Sequence, residues 1–287
     1  MRFLIVLWLA VIVFVGGCSN KQKVPTDTSA QKPSLASHER LHSALWMQTS
    51  VEYRLICEAA YRQARHALDS ALADENWTAA LEQVGDYQKL QPAVVLDLDE
   101  TVIDNSPFQG YLVKNQRGYS NKIWQKWSKK AAAKAIAGAV DFIAYARAKG
   151  VETIFVTNRL GIEQYSTLHN LRQLGIKANP STLLCKGEKG HPDWTSDKTS
   201  RRKFLANKYR ILLLVGDDLN DFVASRKMTL AQRNRLYELH RNRIGRHWIL
   251  LPNPIYGSWE ASVMGGKFVN SVQEALKLKL EAIHSFE

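Results

Sequence analysis

The chain has 287 residues, 45% of them hydrophobic and 23% charged, which is enough apolar material for one large domain or two modest ones. That composition excludes a disordered chain, a collagen-like fibre and a polytopic membrane protein. Thirty-nine Lys and Arg against 27 Asp and Glu give a net charge of +12 and a pI near 9.6, a balance that favours anionic partners (nucleic acid, phospholipid head groups or phosphorylated metabolites) without choosing among them.

Arg2, an apolar run from Phe3 to Val15, and small residues ahead of Cys18 follow the order of a secretory signal. The run is shorter than the ~20 residues that a membrane-crossing helix needs. Its end, Val15-Gly16-Gly17-Cys18, resembles a bacterial lipobox, in which the cysteine is acylated and becomes the mature N-terminus. On that reading residues 1–17 are signal and Cys18 is the lipidation site, held to the membrane by ~0.8 kcal/mol per buried methylene. A plain signal peptide or N-terminal anchor is the other reading of the same residues. Ser19 stands where an Asp would retain a Gram-negative lipoprotein at the inner membrane, so the resemblance implies a lipid-anchored outer-membrane protein, on the periplasmic or the cell-surface side. Residues 18–37 are rich in Ser, Thr, Lys, Gln and Pro and read as a flexible tether, leaving residues 38–287 as the folded domain.

From His38 the pattern turns helical. Trp46, Tyr53, Ile56, Ala60, Ala64 and Ala67 fall on one face of a long helix, and a second helix is expected around Trp77–Val84. Ala93-Val94-Val95-Leu96 is a short apolar run ending in acid, the pattern of a buried parallel strand. Lys122–Lys149 reads as helix with boundaries at Gly138 and Gly150, Val151–Thr157 as strand, and Gly161–Leu174 as helix stopped by Gly175. Ser200–Lys208 is helical, Ile211–Val215 a strand, Arg226–Arg243 a basic helix, Trp248–Leu251 a strand and Ser271–Ile283 a closing helix. Such alternation indicates an α/β domain with a mainly parallel sheet. Cys57 and Cys185 lack the spacing of a zinc site and read as two buried thiols in preference to a bridge. The seven Lys and Arg between Arg226 and His247 read as a solvated face in preference to a specific nucleic-acid or lipid surface.

Two strands end in carboxylates. The run at Ala93 opens into Asp97-Leu98-Asp99-Glu100-Thr101, and the run at Ile211 opens into Gly216-Asp217-Asp218-Leu219-Asn220-Asp221. Ligands of open α/β sheets bind beyond the carboxyl ends of strands, so both clusters belong at one crevice. Thr157-Asn158-Arg159 forms a third strand tip between them, and Lys198 opens a helix. Carboxylates converging at one mouth repel one another unless a cation compensates. Oxygen ligands without His or Cys suit Mg²⁺ in preference to Zn²⁺. With a Lys and a Thr/Asn/Arg tip, this is an electrostatic kit for phosphoryl transfer. One ionised Asp can attack phosphorus while a second, two residues on, protonates the leaving alkoxide and later deprotonates water.

These residues resemble the four motifs of the haloacid dehalogenase superfamily and, more narrowly, the class C acid phosphatases, bacterial lipoproteins with four signature aspartates. Trp46–Tyr53 is similar to that family's N-terminal helix, and Leu251–Glu260 to its late segment. The resemblance implies a Rossmann-like parallel sheet with a small, mainly helical cap contributed by the N-terminal region and insertions. It implies Asp97 as nucleophile and Mg²⁺ ligand, Asp99 as general acid/base binding metal through its backbone carbonyl, and Asp217 as a direct ligand. Thr157, Asn158 and Lys198 would hold phosphate oxygens, and Lys198 would steady Asp97. Asp221 would either act behind the metal's ligands or orient Lys198. Asp218 stands where the family usually has Asn or Thr, adding charge beside the metal, and Phe108 stands where it has Tyr.

Trp124, Trp127 and Tyr256 would, by the same resemblance, sit near the mouth and stack a nucleobase or aromatic alcohol. Trp124 and Trp127, three apart on a helix, also read as core. The implied substrate is a small phosphomonoester such as a 5′-nucleotide or nicotinamide mononucleotide. A binding lipoprotein with little turnover and a phosphotransferase to alcohols are the competing readings. The oligomeric state is left open, a dimer included.

Overall fold

The computed structural model describes residues 38–267, 269 and 271–286. The expected signal, lipidation site and tether therefore lie outside the described residues. The chain runs through α1 (Leu41–Thr49), α2 (Val51–Ala73), β1 (Gln91–Leu96), β2 (Ile103–Asp104), α3 (Ser106–Lys114), α4 (Asn121–Ser128), β3 (Lys134–Ala135) and α5 (Ala139–Ala148). It continues through β4 (Glu152–Leu160), α6 (Gln164–Gln173), β5 (Leu183–Lys186), α7 (Thr199–Ala206), β6 (Tyr209–Gly216), α8 (Leu230–His240), β7 (Trp248–Leu250), α9 (Ser258–Val263) and α10 (Val272–Glu281). None of the described helices is long and apolar enough to cross a membrane.

Five strands form one parallel sheet in the order β5-β4-β1-β6-β7. The order reverses at β1, so the carboxyl ends of β1 and β6 flank the crevice where α/β sheets bind ligands. Alternation along the strands serves two cores. Val94, Leu96, Phe155 and Leu213 face the layer of α1, α2 and α5, while Val95, Ile154, Val156 and Leu214 face Trp194, Leu205, Phe222 and Trp248 on the other side. Burial on both faces explains why these strands are unbroken apolar runs. A second, two-stranded antiparallel sheet, β2 with β3, leads into the insertion carrying α3 and α4. Together with α1 this is the small, mainly helical cap.

The long N-terminal helix is in fact two. Ser50 breaks it with extended backbone, and its hydroxyl accepts from the Tyr53 N–H to start α2. The buried stripe of α2 is Tyr53, Cys57, Tyr61, Ala64, Ala67, Leu68 and Ala71, whereas Ile56 is exposed. Small residues let α2 lie close to the sheet layer, and Gly138, the N-cap of α5, belongs to this contact. It has φ +86°, and a Cβ there would stand 3.0 Å from the Tyr61 Cβ. Cys57 and Cys185 are separate buried thiols.

The expected helix around Trp77–Val84 is absent; the segment is irregular and hydrogen-bonds into the sheet. The Trp77 indole donates to Leu212 O (2.8 Å), and the Ala79 N–H to Ile211 O (2.8 Å). Buried Gln83 donates to Ala206 O (2.8 Å) and Tyr209 O (2.6 Å) and accepts from Ile211 N (3.0 Å). Lys122–Lys149 is likewise interrupted: residues between α4 and α5 pair as β3, and Ala131 takes a left-handed φ of 48°. The basic helix is shorter than expected, Leu230–His240, with no buried residue. At the C-terminus, Lys279 of α10 donates to Glu39 Oε2 (2.8 Å) and Glu260 Oε1 (2.5 Å), tying the last helix to the start of the domain.

Gln83 closes the end of β6 opposite the crevice. Gln83→Leu strands a buried Ile211 N–H and two carbonyls, and is expected to destabilise the fold by about 3 kcal/mol, lowering Tm by roughly 6–12 °C. Urea and thermal unfolding would measure it; an unchanged Tm would mean the amide contributes nothing to closure.

Candidate active site

Strand ends place the acids, and the start of a helix places the lysine. The Asp97 N–H donates to Val215 O (2.8 Å), continuing the β1–β6 ladder, and the chain then turns so that Leu98 O accepts from the N–H groups of Val102 and Ile103 (2.9 Å each). Glu100, in this turn, has φ +62°. Beyond β6, the Asp218 N–H donates to Asp221 Oδ2 (2.9 Å) and the Asp221 N–H to Asp218 O (2.9 Å), folding the second acidic run back on itself. Gly216 permits this, since a Cβ there would lie 2.3 Å from Asp221 Oδ2. Lys198 caps α7 and is 3% exposed.

The Lys198 ammonium donates to Asp97 Oδ1 and to Asp221 Oδ1 (2.6 Å for the latter). Asp97, Asp217 and Asp221 each offer an oxygen within 4.8 Å of the others. Burial pushes the Asp97 carboxyl up to about 7; Lys198 pulls it down, and Asp221 and Asp99 push it up. Asp217 is raised well above the usual carboxylate range by burial and then by Asp97 and Asp221, although Asn253 donates to it (2.8 Å). Burial would lower the Lys198 ammonium, but Asp221 and Asp97 outweigh it and hold the pKa above its ordinary value. Three carboxylates, Asp97 and Asp221 buried and Asp217 half-buried, against one ammonium leave an excess of negative charge. All-oxygen donors at this spacing fit a hard divalent cation.

The Asp99 carboxylate is not in this cluster. It accepts from Arg159 Nε (3.0 and 3.2 Å) and Nη2 (2.8 Å), from Asn105 Nδ2 (2.8 Å) and from Thr157 Oγ1 (3.3 Å). Arg159 is 2% exposed. Burial opposes its charge, but Asp99 holds its pKa above the ordinary value. The two aspartates of the first run therefore sit in different fields, one shared with Lys198 and two carboxylates, the other clamped by a guanidinium.

A cleft of about 460 Å³ opens over these groups, and its walls include Trp124, Tyr256, Asn158 and Phe108. Trp124 stands edge-on to Phe108, ring centroids 5.1 Å apart, and the Arg159 guanidinium lies 5.3 Å from its ring. Trp127 instead packs against the core and donates to Asn105 Oδ1 (2.8 Å). Tyr256 hydrogen-bonds to Glu100 Oε2. Thr157 is fully buried with its hydroxyl on Asp99, and Asn158 is exposed, accepting from Arg201 (2.8 Å) and donating to Ser196 O (3.3 Å). Asp218 accepts from Asn220 N (2.8 Å) and Ser258 N (2.6 Å), tying the second acidic run to α9.

The structure thus brings Asp97, Asp217, Asp221 and Lys198 together and seats Asp99 beside them. Sequence spacing missed Glu100, Asn105 and Asn253. Glu100 and Asn105 lie within a few residues of the first acidic run and were discoverable from that proximity; Asn253, in a loop, carries no periodic signal.

The HAD superfamily, subfamily IIIB (Acid phosphatase), matches residues 17–259 of this chain. The class C acid phosphatase from Bacillus anthracis is 32% identical, superposes with a TM-score of 0.77, and the match covers 86% of this chain and 98% of that one. A second structure of that enzyme, with tungstate bound, is 31% identical with a TM-score of 0.76, at the same coverage of both chains. Four acids and a lysine at the ends of two parallel strands and one helix, together with these matches, make the chain a member of the acid phosphatases of HAD subfamily IIIB, hydrolases of phosphomonoesters.

Proposed function

We propose that the protein is a lipid-anchored, Mg²⁺-dependent acid phosphatase that forms an aspartyl-phosphate on Asp97 and uses Asp99 as general acid/base. The observation that carries this reading is the division between the two aspartates: Lys198 bonds Asp97 and Asp221, while Arg159 holds Asp99 apart. Lys198 aims an Asp97 oxygen, which attacks phosphorus as the ester oxygen leaves. Asp99 gives its proton to that leaving oxygen, then takes one from the water that attacks the phosphoryl group and releases Asp97. Asp97, Asp217 and Asp221, with the Asp99 carbonyl, would hold Mg²⁺, which when bound supplies positive charge against the carboxylates and phosphoryl oxygens. Thr157 and Asn158 would hold phosphate oxygens, and the tungstate-bound relative supports a tetrahedral oxyanion as the ligand.

The substrate is a small phosphomonoester, and the aromatic pair at the cleft, Trp124 and Tyr256, favours a 5′-nucleotide or nicotinamide mononucleotide, whose rings can stack. The lipid anchor and outer-membrane location rest on the Val15–Cys18 motif and Ser19.

Asp97→Asn should reduce p-nitrophenyl phosphate hydrolysis by roughly 10³-fold or more and leave no phospho-enzyme after acid quench. Asp99→Asn should instead trap phospho-enzyme, with the loss greater for alkyl than for p-nitrophenyl esters, because a good leaving group needs less protonation. Phospho-enzyme in the first variant would overturn the assignment of Asp97.

An acid role for Asp99 requires turnover to begin from the form that carries the proton, so kcat/KM should fall as pH rises from about 5 to about 8.5; a flat profile would remove it from that role.

Metal and pH should also be linked in stability. The Asp97 carboxyl is near 3.8 unfolded and about 7 folded. Between these values the native state keeps a proton the unfolded chain has released, so the contribution falls as pH rises through that window. In EDTA, Tm should decline across it, and Mg²⁺ should raise Tm more at about pH 7.5 than at about pH 5. Asp217→Asn should raise Tm in EDTA at the higher pH and shrink the Mg²⁺ shift. Equal Mg²⁺ shifts at both pH values would contradict a proton-coupled carboxylate site.

A further inference from the structure

Glu100 follows the acid/base aspartate directly and adopts a conformation that its residue type does not favour. Its φ of +62° lies in the left-handed region, where glycine is at ease and a longer side chain is strained. The side chain is fully buried. The cations nearby, Arg159 and Lys198, pair with Asp99, Asp97 and Asp221 instead. A carboxyl taken out of water without a bonded cation is costly to hold. Its own turn does not need it: Leu98 O accepts from the Val102 and Ile103 N–H groups, and the Glu100 N–H donates to Ile103 O (2.9 Å each). Strain of this kind beside a reaction centre points to a task outside the turn.

The task is visible in what the carboxyl bonds. Glu100 Oε1 accepts from the Asn105 N–H (2.8 Å), and Oε2 accepts from Asn105 Nδ2 (3.4 Å) and from the Tyr256 hydroxyl. Asn105 is fully buried, and its amide is fully used. Nδ2 also donates to Asp99 Oδ1 (2.8 Å), while Oδ1 accepts from Trp127 Nε1 (2.8 Å) and Arg159 Nη2 (3.3 Å). Only one orientation satisfies it, since a flipped amide would turn its donors onto two other donors. The backbone of the Tyr256 loop is tied separately. Asn253 accepts from the Tyr256 N–H (3.4 Å) and donates to Asp217 Oδ2 (2.8 Å). The ring lines the cleft, and its hydroxyl end is held by Glu100. One carboxyl thus meets both a wall of the cleft and the amide that holds Asp99.

We propose that Glu100 is a positioning residue that couples leaving-group binding to leaving-group protonation. Through the Tyr256 hydroxyl it fixes the ring against which the leaving group seats, and through Asn105 it aims Asp99 at the leaving oxygen. This rests on the phosphatase reading of the cleft, and it gives Glu100 no part in bond making or breaking.

Two substrate pairs separate the two tasks. Adenosine 5′-monophosphate against ribose 5-phosphate keeps the ester and varies the ring that meets Tyr256. Phenyl against p-nitrophenyl phosphate keeps the ring and varies how much the leaving oxygen needs a proton. Glu100→Gly suits the left-handed backbone, so its Tm should stay within about 5 °C of native. Both kcat/KM ratios should nevertheless fall about fivefold, the first through KM. Tyr256→Phe should lower the first ratio alone. Glu100→Gln keeps an oxygen for the Asn105 N–H and a polar group for the Tyr256 hydroxyl, and should restore both ratios to within about twofold of native. Calorimetric titration with adenosine in EDTA reads the Tyr256 contact without turnover, and binding should weaken about fivefold in Glu100→Gly.

Unchanged ratios in Glu100→Gly would overturn the assignment, as would ratios that fall equally in Glu100→Gln or only alongside a large loss of Tm. Should Glu100→Gly not fold, an unchanged first ratio in Tyr256→Phe overturns it. Failure of the native enzyme to hydrolyse p-nitrophenyl phosphate would instead overturn the phosphatase reading, and the adenosine titration would then decide the Tyr256 contact by itself.

Discussion

One buried ammonium sets the rest of the site. Lys198 lies where the ends of β1 and β6 bring three carboxylates together, and without it those charges would face one another in a medium that screens them poorly. Its position is a backbone matter: α7 begins at Lys198, and α7 packs on β6 through Leu205 and Ala206. Arg202, one turn on, donates to the carbonyls of Asn220 and Asp221 (3.1 Å each), holding the second acidic turn against the same helix. The helix thus fixes both the cation and the loop whose acid the cation meets.

The second organising element is Arg159. As a planar guanidinium with a fork of donors it binds both oxygens of Asp99 while stacking near Trp124. It reaches this position because β4 runs three residues past Thr157 and its pairing with β5 is irregular there, turning a side chain into the site. Recognition aromatics and the acid/base carboxylate are thereby linked through one side chain. A change at Trp124 is felt at Asp99 without any direct contact between the two.

Much of this was legible in the sequence, and for identifiable reasons. A strand buried on both faces must be an apolar run, and a run that ends in acid announces its carboxyl end, so Asp97 and Asp217 could be found from pattern. The helix expected at Trp77–Val84 failed because Trp77 and Gln83 turn their polar atoms into the sheet, giving β6 side-chain partners in place of a helical ladder. Lys129–Lys134, strong helix formers, are overridden by tertiary contacts: Ala133 exchanges hydrogen bonds with Asn170 (3.1 and 2.8 Å) and Lys134 pairs with Asp104. β5, four residues long, was too short to register. Asp221 entered the carboxylate group through the fold-back at Gly216, a three-dimensional accommodation that no periodicity encodes.

The ion pairs of Lys279 have a mechanical meaning. One ammonium joins Glu39, at the first turn of the domain, to Glu260, which helps line the cleft, and Arg40 reaches the same cleft through Gln109 (3.1 Å). Force applied to the chain just ahead of α1 would therefore be delivered to the rim of the catalytic mouth before it loads the central sheet.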